Sequence, residues 1–309
     1  MSAHRGFRSP DLGRRALLAT LPSALLGCGV AVPSRSQAVH SQPRPSARVL
    51  ACYYAAWDTR TYAISDVPGE FAVIYLFHAK PAGPRANGSW NNVGDGSFRF
   101  EHHAEVPSAQ VQRCRARGQK VILTVGGERA GFNFDDRRKS RNFVDSFRGM
   151  HDRLGGVDGC DFNNFEAKVG SSPAEMVWIA QQLKAWYGPD FAITAPPEPN
   201  SLEDRALLKA MAEAGVLSWA APQYYGWSGF NAPGFIRNRT DDWVRDLGAD
   251  KVMLGLAADA TRGPSLQDCI REWEAVKASH PGIRGLFCWN AQFNLAGGNA
   301  WGRAMRSRL

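Results

Sequence analysis

The sequence predicts one α/β domain, a single (β/α)8 TIM barrel spanning residues 49–309, and three observations carry that reading. Eight apolar stretches of strand length recur along the chain. Amphipathic stretches of helical length separate most of them. Polar and aromatic residues gather where the apolar stretches end. Strands that are apolar almost throughout need cover on both faces, which is the condition of a parallel sheet wrapped by helices. With 309 residues and 44% hydrophobic content, the chain can fill such a core as one domain.

In order, the strand candidates are Val49 to Trp57, Phe71 to His78, Lys120 to Gly126, Val157 to Asn163, Phe191 to Ala195, Leu217 to Tyr225, Lys251 to Ala257 and Gly285 to Asn290. The helix candidates are Ser108 to Gly118, Ser140 to Leu154, Pro173 to Tyr187, Leu202 to Ala214, Thr240 to Asp246 and Pro264 to His280. Pro173, Pro264 and Ser201 suit helix starts, and Gly118 and Gly188 suit helix ends. Lys80 to Val106, rich in Gly, Asn and Pro, is long enough for a functional loop beyond the second strand. In this barrel the working face is built from the loops after the strand C-termini.

The first 27 residues read as a targeting segment outside the fold: Arg14-Arg15, an apolar run from Ala16 to Leu26, and a small-residue exit at Gly27-Cys28. The paired arginines resemble a twin-arginine signal. Leu25-Leu26-Gly27-Cys28 resembles a bacterial lipobox, which makes Cys28 the expected lipidation site. An ordinary cleavable signal with an incidental cysteine is the other reading; the apolar run is too short for a membrane span. Residues 28–48, with several Pro, Ser and Gln, then form a flexible tether. The expectation is an exported protein, anchored in the cell envelope through Cys28 or secreted.

Net charge is +8, and four of the basic residues, Arg5, Arg8, Arg14 and Arg15, lie in the leader. No dense basic run with interleaved aromatics occurs, so no nucleic-acid partner is expected. Beyond Cys28, the cysteines Cys52, Cys114, Cys160, Cys269 and Cys288 have no close-spaced pair, so neither a zinc site nor a disulfide framework is suggested. Glycine pairs such as Gly126-Gly127 and Gly297-Gly298 lack dinucleotide or phosphate-loop spacing. No metal and no cofactor are expected, and the chain is expected to be a monomer.

The densest chemistry lies in V-D-G-C-D-F-N-N-F-E-A-K, residues 157–168. Strand parity puts Asp161 and Asn163 on one face, Asn164 and Glu166 on the other. Such a cluster also suits the cap of a following helix. Other strand ends carry Thr124-Val125-Gly126-Gly127-Glu128, Thr194-Ala195-Pro196-Pro197-Glu198, Pro222-Gln223-Tyr224-Tyr225 and Cys288-Trp289-Asn290. Aromatic walls with a few hydrogen-bonding groups and one carboxyl suit a neutral ring-shaped ligand such as a sugar.

Five of these segments resemble glycoside hydrolase family 18, the chitinases and endo-β-N-acetylglucosaminidases, especially its small plant-type (hevamine-like) branch. K-V-I-L-T-V-G-G at 120–127 resembles the family's S-x-G-G strand, and D-G-C-D-F-N-N-F-E its D-G-x-D-x-D-x-E signature. F-A-I-T-A-P-P-E-P resembles the strand before the sugar-contacting loop. A-P-Q-Y-Y resembles the Q-x-Y strand, and G-L-F-C-W-N the last strand with its tryptophan floor. The resemblance implies substrate-assisted, retaining hydrolysis of β-1,4-linked N-acetylglucosamine glycans. In it Glu166 is the acid/base, Tyr225 and Gln223 hold the acetamide and sugar, and Trp289 lies beneath the ring. Tyr53 and Asn290 join them as sugar-binding candidates.

Two departures stand out. Counted from Asp158, the family's Glu falls at Phe165, so this chain carries one additional residue. The Asp that orients the acetamide is replaced by Asn163 or Asn164. A β-bulge absorbs such a residue. Placed before Asn164, it turns Asn164 and Glu166 inward together; placed after Asn163, it leaves Asp161 and Asn163 inward and pulls Glu166 round to them. A related endoglycosidase family, family 85, uses an Asn two residues before its Glu, and N-F-E here has that spacing. Loss of the carboxylate also permits the alternative of an inactive, lectin-like carbohydrate-binding surface protein.

Overall fold

The computed structural model describes residues 48–84, 93–163, 170–227 and 229–309. The leader with Cys28, and Asn164 and Glu166, lie outside the described residues. Eight strands form the barrel: β1 (Val49–Ala55), β2 (Val73–Pro81), β4 (Lys120–Gly126), β5 (Gly159–Asn163), β6 (Ala192–Ala195), β7 (Trp219–Ala220), β8 (Met253–Ala257) and β9 (Gly285–Trp289). A short β3 (Phe98–Arg99) pairs antiparallel with β2. Around them run α1 (Ser108–Ala116), α2 (Arg137–Arg153), α3 (Pro173–Tyr187), α4 (Leu202–Glu213), α5 (Phe235–Leu247), α6 (Leu266–Ser279), α7 (Ala291–Ala296) and α8 (Ala300–Arg306).

The parallel ladder runs β7-β6-β5-β4-β2-β1-β9-β8. Bridges Ala220 to Val252 and Gln223 to Gly255 bring its two edges together. The result is a nearly closed eight-stranded parallel barrel with helices between strands, as the alternation of apolar runs predicted. Side-chain parity divides the core in two. On β1, Leu50, Cys52 and Tyr54 pack outward under the helices, while Ala51 and Tyr53 pack inside with Tyr75, Phe77, Trp219 and Phe287. The five described cysteines are all buried and unbridged, and burial pushes the thiols of Cys52, Cys160 and Cys288 well up, so they act as small apolar side chains.

Helix starts follow local chemistry. Ser201 Oγ accepts from the Asp204 amide at 3.1 Å, and Pro173 sits in the first turn of α3. The expected start at Pro264 moves to Leu266, because Ser265 is the residue that caps, accepting from the Asp268 amide at 3.2 Å. The strand expected over Leu217 to Tyr225 pairs continuously only at Trp219–Ala220. Pro222 has no amide hydrogen to give the ladder, and pairing resumes as a single bridge at Gln223. The loop expected from Lys80 to Val106 contributes to the core as well: Phe98, Phe100 and Val106 are buried. The short helices α7 and α8 close the C-terminus beyond the last predicted element.

Candidate active site

Strand β5 carries the acidic signature, and its neighbours decide what each side chain does. Its ladder with β4 is unbroken from Ile122 opposite Gly159 to Gly126 opposite Asn163. No bulge interrupts the described part of the strand, and Asp161 and Asn163 point into the barrel together. Asp158 is not part of this group. At the other end of β5 it accepts from Arg115 Nη2 at 3.0 Å and from the Val121 amide at 2.9 Å, tying α1 to the strand.

Asp161 is 1% exposed. Pairing places Thr124 and Thr194 on either side of it, and both hydroxyls donate to it, at 3.0 and 2.6 Å. Tyr53 Oη donates a third bond at 2.7 Å. Burial pushes the Asp161 carboxyl up to about 6, against the pull of the three donors. Burial and the nearby carboxyl also raise Tyr53 well above the usual phenol range, which keeps it a donor. Asp161 and Tyr53 thus form a sealed support under the cavity floor.

Asn163, one pleat further toward the strand ends, is different. It is 3% exposed, it lines the cleft, and its Oδ1 has no hydrogen-bond partner among the described residues. A buried carbonyl oxygen without a donor costs about 1–3 kcal/mol. A ligand N–H or O–H removes that cost.

Above it opens a cleft of about 790 Å³ at the C-terminal ends of the strands. Trp289 and Tyr225 both line it, their ring centroids 6.3 Å apart and their planes 17° from parallel. Phe77 meets Trp289 edge-on at 5.0 Å. The Gln223 amide is held at both ends, donating to Pro196 O at 2.7 Å and accepting from Tyr225 Oη at 2.8 Å. Asn290 reaches the cleft, but its Oδ1 accepts from the Phe293 amide at 3.0 Å and caps α7.

Sequence reasoning missed several lining residues. Trp57, 48% exposed, stands at the rim beyond β1, and His78 lies near the end of β2. Asp58, Lys80, Glu198, Trp227 and Arg262 complete much of the wall. The strand-end rule that found Trp289 would have found Trp57 and His78 too. Among the described residues no group of three or more His, Cys, Asp or Glu is placed to hold a metal ion.

Behind the wall, Asp204 Oδ2 accepts from the Glu198 amide at 3.3 Å, fixing the loop that brings Glu198 to the cleft. Burial pushes the Asp204 carboxyl up to about 7. That folded value exceeds the ordinary value of about 3.9, so Asp204 adds stability that is complete at low pH and is lost as pH climbs through about 7. Relative to Asp204→Asn, the native protein should lose on the order of 2 kcal/mol between about pH 5 and 8. Thermal unfolding of both proteins at the two pH values checks this; parallel pH dependence would refute it.

By fold the chain belongs to the class of (β/α)8 barrels that carry an aromatic-walled cleft over their strand ends. Within that class the chain is related, by sequence and by fold, to the chitinases of glycoside hydrolase family 18. It is 25% identical to a probable class II chitinase of Arthroderma benhamiae over 44% of this chain and 45% of that protein. It is 26% identical to exochitinase 1 of Streptomyces olivaceoviridis over 44% of this chain and 25% of that protein. The chain thus spans less than half the length of these curated relatives. Among solved structures, a putative chitinase A from Streptomyces coelicolor superimposes with a TM-score of 0.70 at 22% identity, covering 84% of this chain and 97% of that one. A family 18 chitinase from Chromobacterium violaceum gives 0.69 at 19%, covering 84% and 83%. The same fold occurs in a xylanase and α-amylase inhibitor protein from Scadoxus multiflorus, with a TM-score of 0.65 at 16% identity, covering 85% and 99%. No protein-family model matches the chain.

Proposed function

We propose that the protein is a retaining glycoside hydrolase of β-1,4-linked N-acetylglucosamine glycans, with Glu166 as general acid/base. The observation that carries this reading is the buried Oδ1 of Asn163, without a partner among the described residues, in a cleft lined by Trp289 and Tyr225. A sugar bearing an acetamide supplies what is missing: an apolar ring face for the indole and an N–H for the carbonyl oxygen.

In this mechanism Trp289 carries the ring and Asn163 accepts the acetamide N–H, which turns the acetamide oxygen toward the anomeric carbon. Tyr225, whose hydroxyl hydrogen is given to Gln223, flanks the acetamide with its ring. Glu166 protonates the glycosidic oxygen as the bond to the anomeric carbon breaks and the acetamide oxygen takes that place. The Glu166 carboxylate then accepts a proton from the water that opens the oxazolinium ring, and two inversions retain the configuration.

Trp289→Ala removes the stacking surface and is expected to weaken chito-oligosaccharide binding by about 10-fold or more, on the scale of a large aromatic contact. Calorimetry on native and variant protein checks this, and unchanged affinity would remove the sugar from this wall. The neutral amide at 163 favours a second reading, a carbohydrate-binding protein without turnover. Release of reducing ends from chito-oligosaccharides supports the hydrolase; tight binding with no product supports the binding protein.

A further inference from the structure

His78 is buried at 6% exposure, lies against the cleft, and takes no part in the mechanism above. Its ring stacks on Phe77 with centroids 4.0 Å apart and planes 5° from parallel, and Trp57 closes over it edge-on at 5.7 Å. The orientation is therefore set by packing. Nδ1 contacts the backbone carbonyl of Gly126. A carbonyl oxygen only accepts, so Nδ1 carries the hydrogen, and in the neutral ring Nε2 is left with a lone pair. Nε2 has no partner among the described residues and is not sealed from solvent.

Burial pushes the His78 imidazole down to about 3, and the nearby Lys80 and His102 push the same way, against the Gly126 carbonyl. The ring is neutral at ordinary pH. It presents a fixed acceptor to the cleft between Trp57 and Phe77, beside the wall that holds Trp289.

We infer that His78 is a specificity-determining residue: its Nε2 accepts a hydrogen bond from a hydroxyl of the sugar bound along the Trp57 side of the cleft. The inference rests on the glycan reading of the cleft and adds a contact with a fixed direction. A ligand lacking a donor at that place leaves the nitrogen unsatisfied, which is how a polar group buried in a pocket discriminates.

Histidine 15N spectra of native protein and of His78→Phe, which identifies the His78 signals by their loss, read the tautomer directly. Expected are a protonated Nδ1 and a bare Nε2 throughout about pH 5 to 8, with the Nε2 signal moving when chitotetraose is added. By calorimetry, His78→Phe keeps a flat ring without the acceptor and should bind chitotetraose about 3- to 10-fold more weakly, the size of one neutral hydrogen bond. His78→Gln, whose amide oxygen reaches toward the Nε2 position, should recover part of the loss. An Nε2–H tautomer, titration within that pH range, or no recovery with glutamine overturns the inference. Native affinity retained in His78→Phe overturns it alone. A native protein that binds no chitotetraose overturns the glycan reading with it.

Discussion

Replacing Glu166 by glutamine is expected to lower the release of reducing ends from chito-oligosaccharides by about 10²–10⁴-fold, the usual contribution of a general acid/base. The amide keeps the shape of the side chain and cannot give the proton that the leaving oxygen needs. Binding should persist, because the sugar contacts proposed for Trp289, Tyr225 and Asn163, which line the cleft, do not use the Glu166 carboxyl. Rates on chito-oligosaccharides, paired with calorimetric affinity, separate the two effects. A variant that hydrolyses as fast as the native protein would transfer the acid role to another carboxyl of the cleft. Asp58, Glu128 and Glu198 are the carboxyls on its wall among the described residues.

Asn163→Asp is expected to act in the opposite direction and raise the hydrolytic rate about 10-fold or more. A carboxylate here lies beside the acetamide as positive charge develops on the oxazolinium ring, and fixed opposite charge at such a point is worth a few kcal/mol. The new group still accepts the acetamide N–H, so affinity should change little while turnover rises. It also sits one pleat above Asp161 on the same face of β5. Like charges that close raise each other, so the gain should grow as pH rises and the new group ionises. Rates of native and variant protein from about pH 5 to 8 test this. A rate that falls in a variant with native circular dichroism would show that the amide itself is what the chemistry uses.

These two substitutions bear on the residues that matter most for classification. Related barrels include chitinases and a xylanase and α-amylase inhibitor protein, so the fold does not fix the activity. The difference must lie in a few side chains at the strand ends. Asn163 is one of them, and its buried oxygen, without a partner among the described residues, fits a ligand with an N–H or O–H to give.

Much of the scaffold was legible in the residue order. The eight barrel strands stand out because most of their residues are buried on both faces and apolar, and Pro173 and Ser201 mark helix starts by chemistry that acts within one turn. Trp289, Tyr225 and Gln223 were legible for the same local reason, as polar or aromatic residues at the end of an apolar run. β3 spans two residues and α7 and α8 only six and seven, too short to show a period.

Sequence alone determined the barrel and which strand ends face its mouth, because periodicity and strand position are properties of neighbouring residues. Only the tertiary structure decided depth. Asp161 and Asn163 share a face by parity, yet Asp161 is sealed by hydroxyls from β1, β4 and β6, while Asn163, one pleat higher, reaches the cleft. His78 likewise acquires a fixed tautomer from the Gly126 carbonyl on a neighbouring strand. Depth and tautomer depend on the register between strands far apart in the chain, and that register exists only once the barrel has formed.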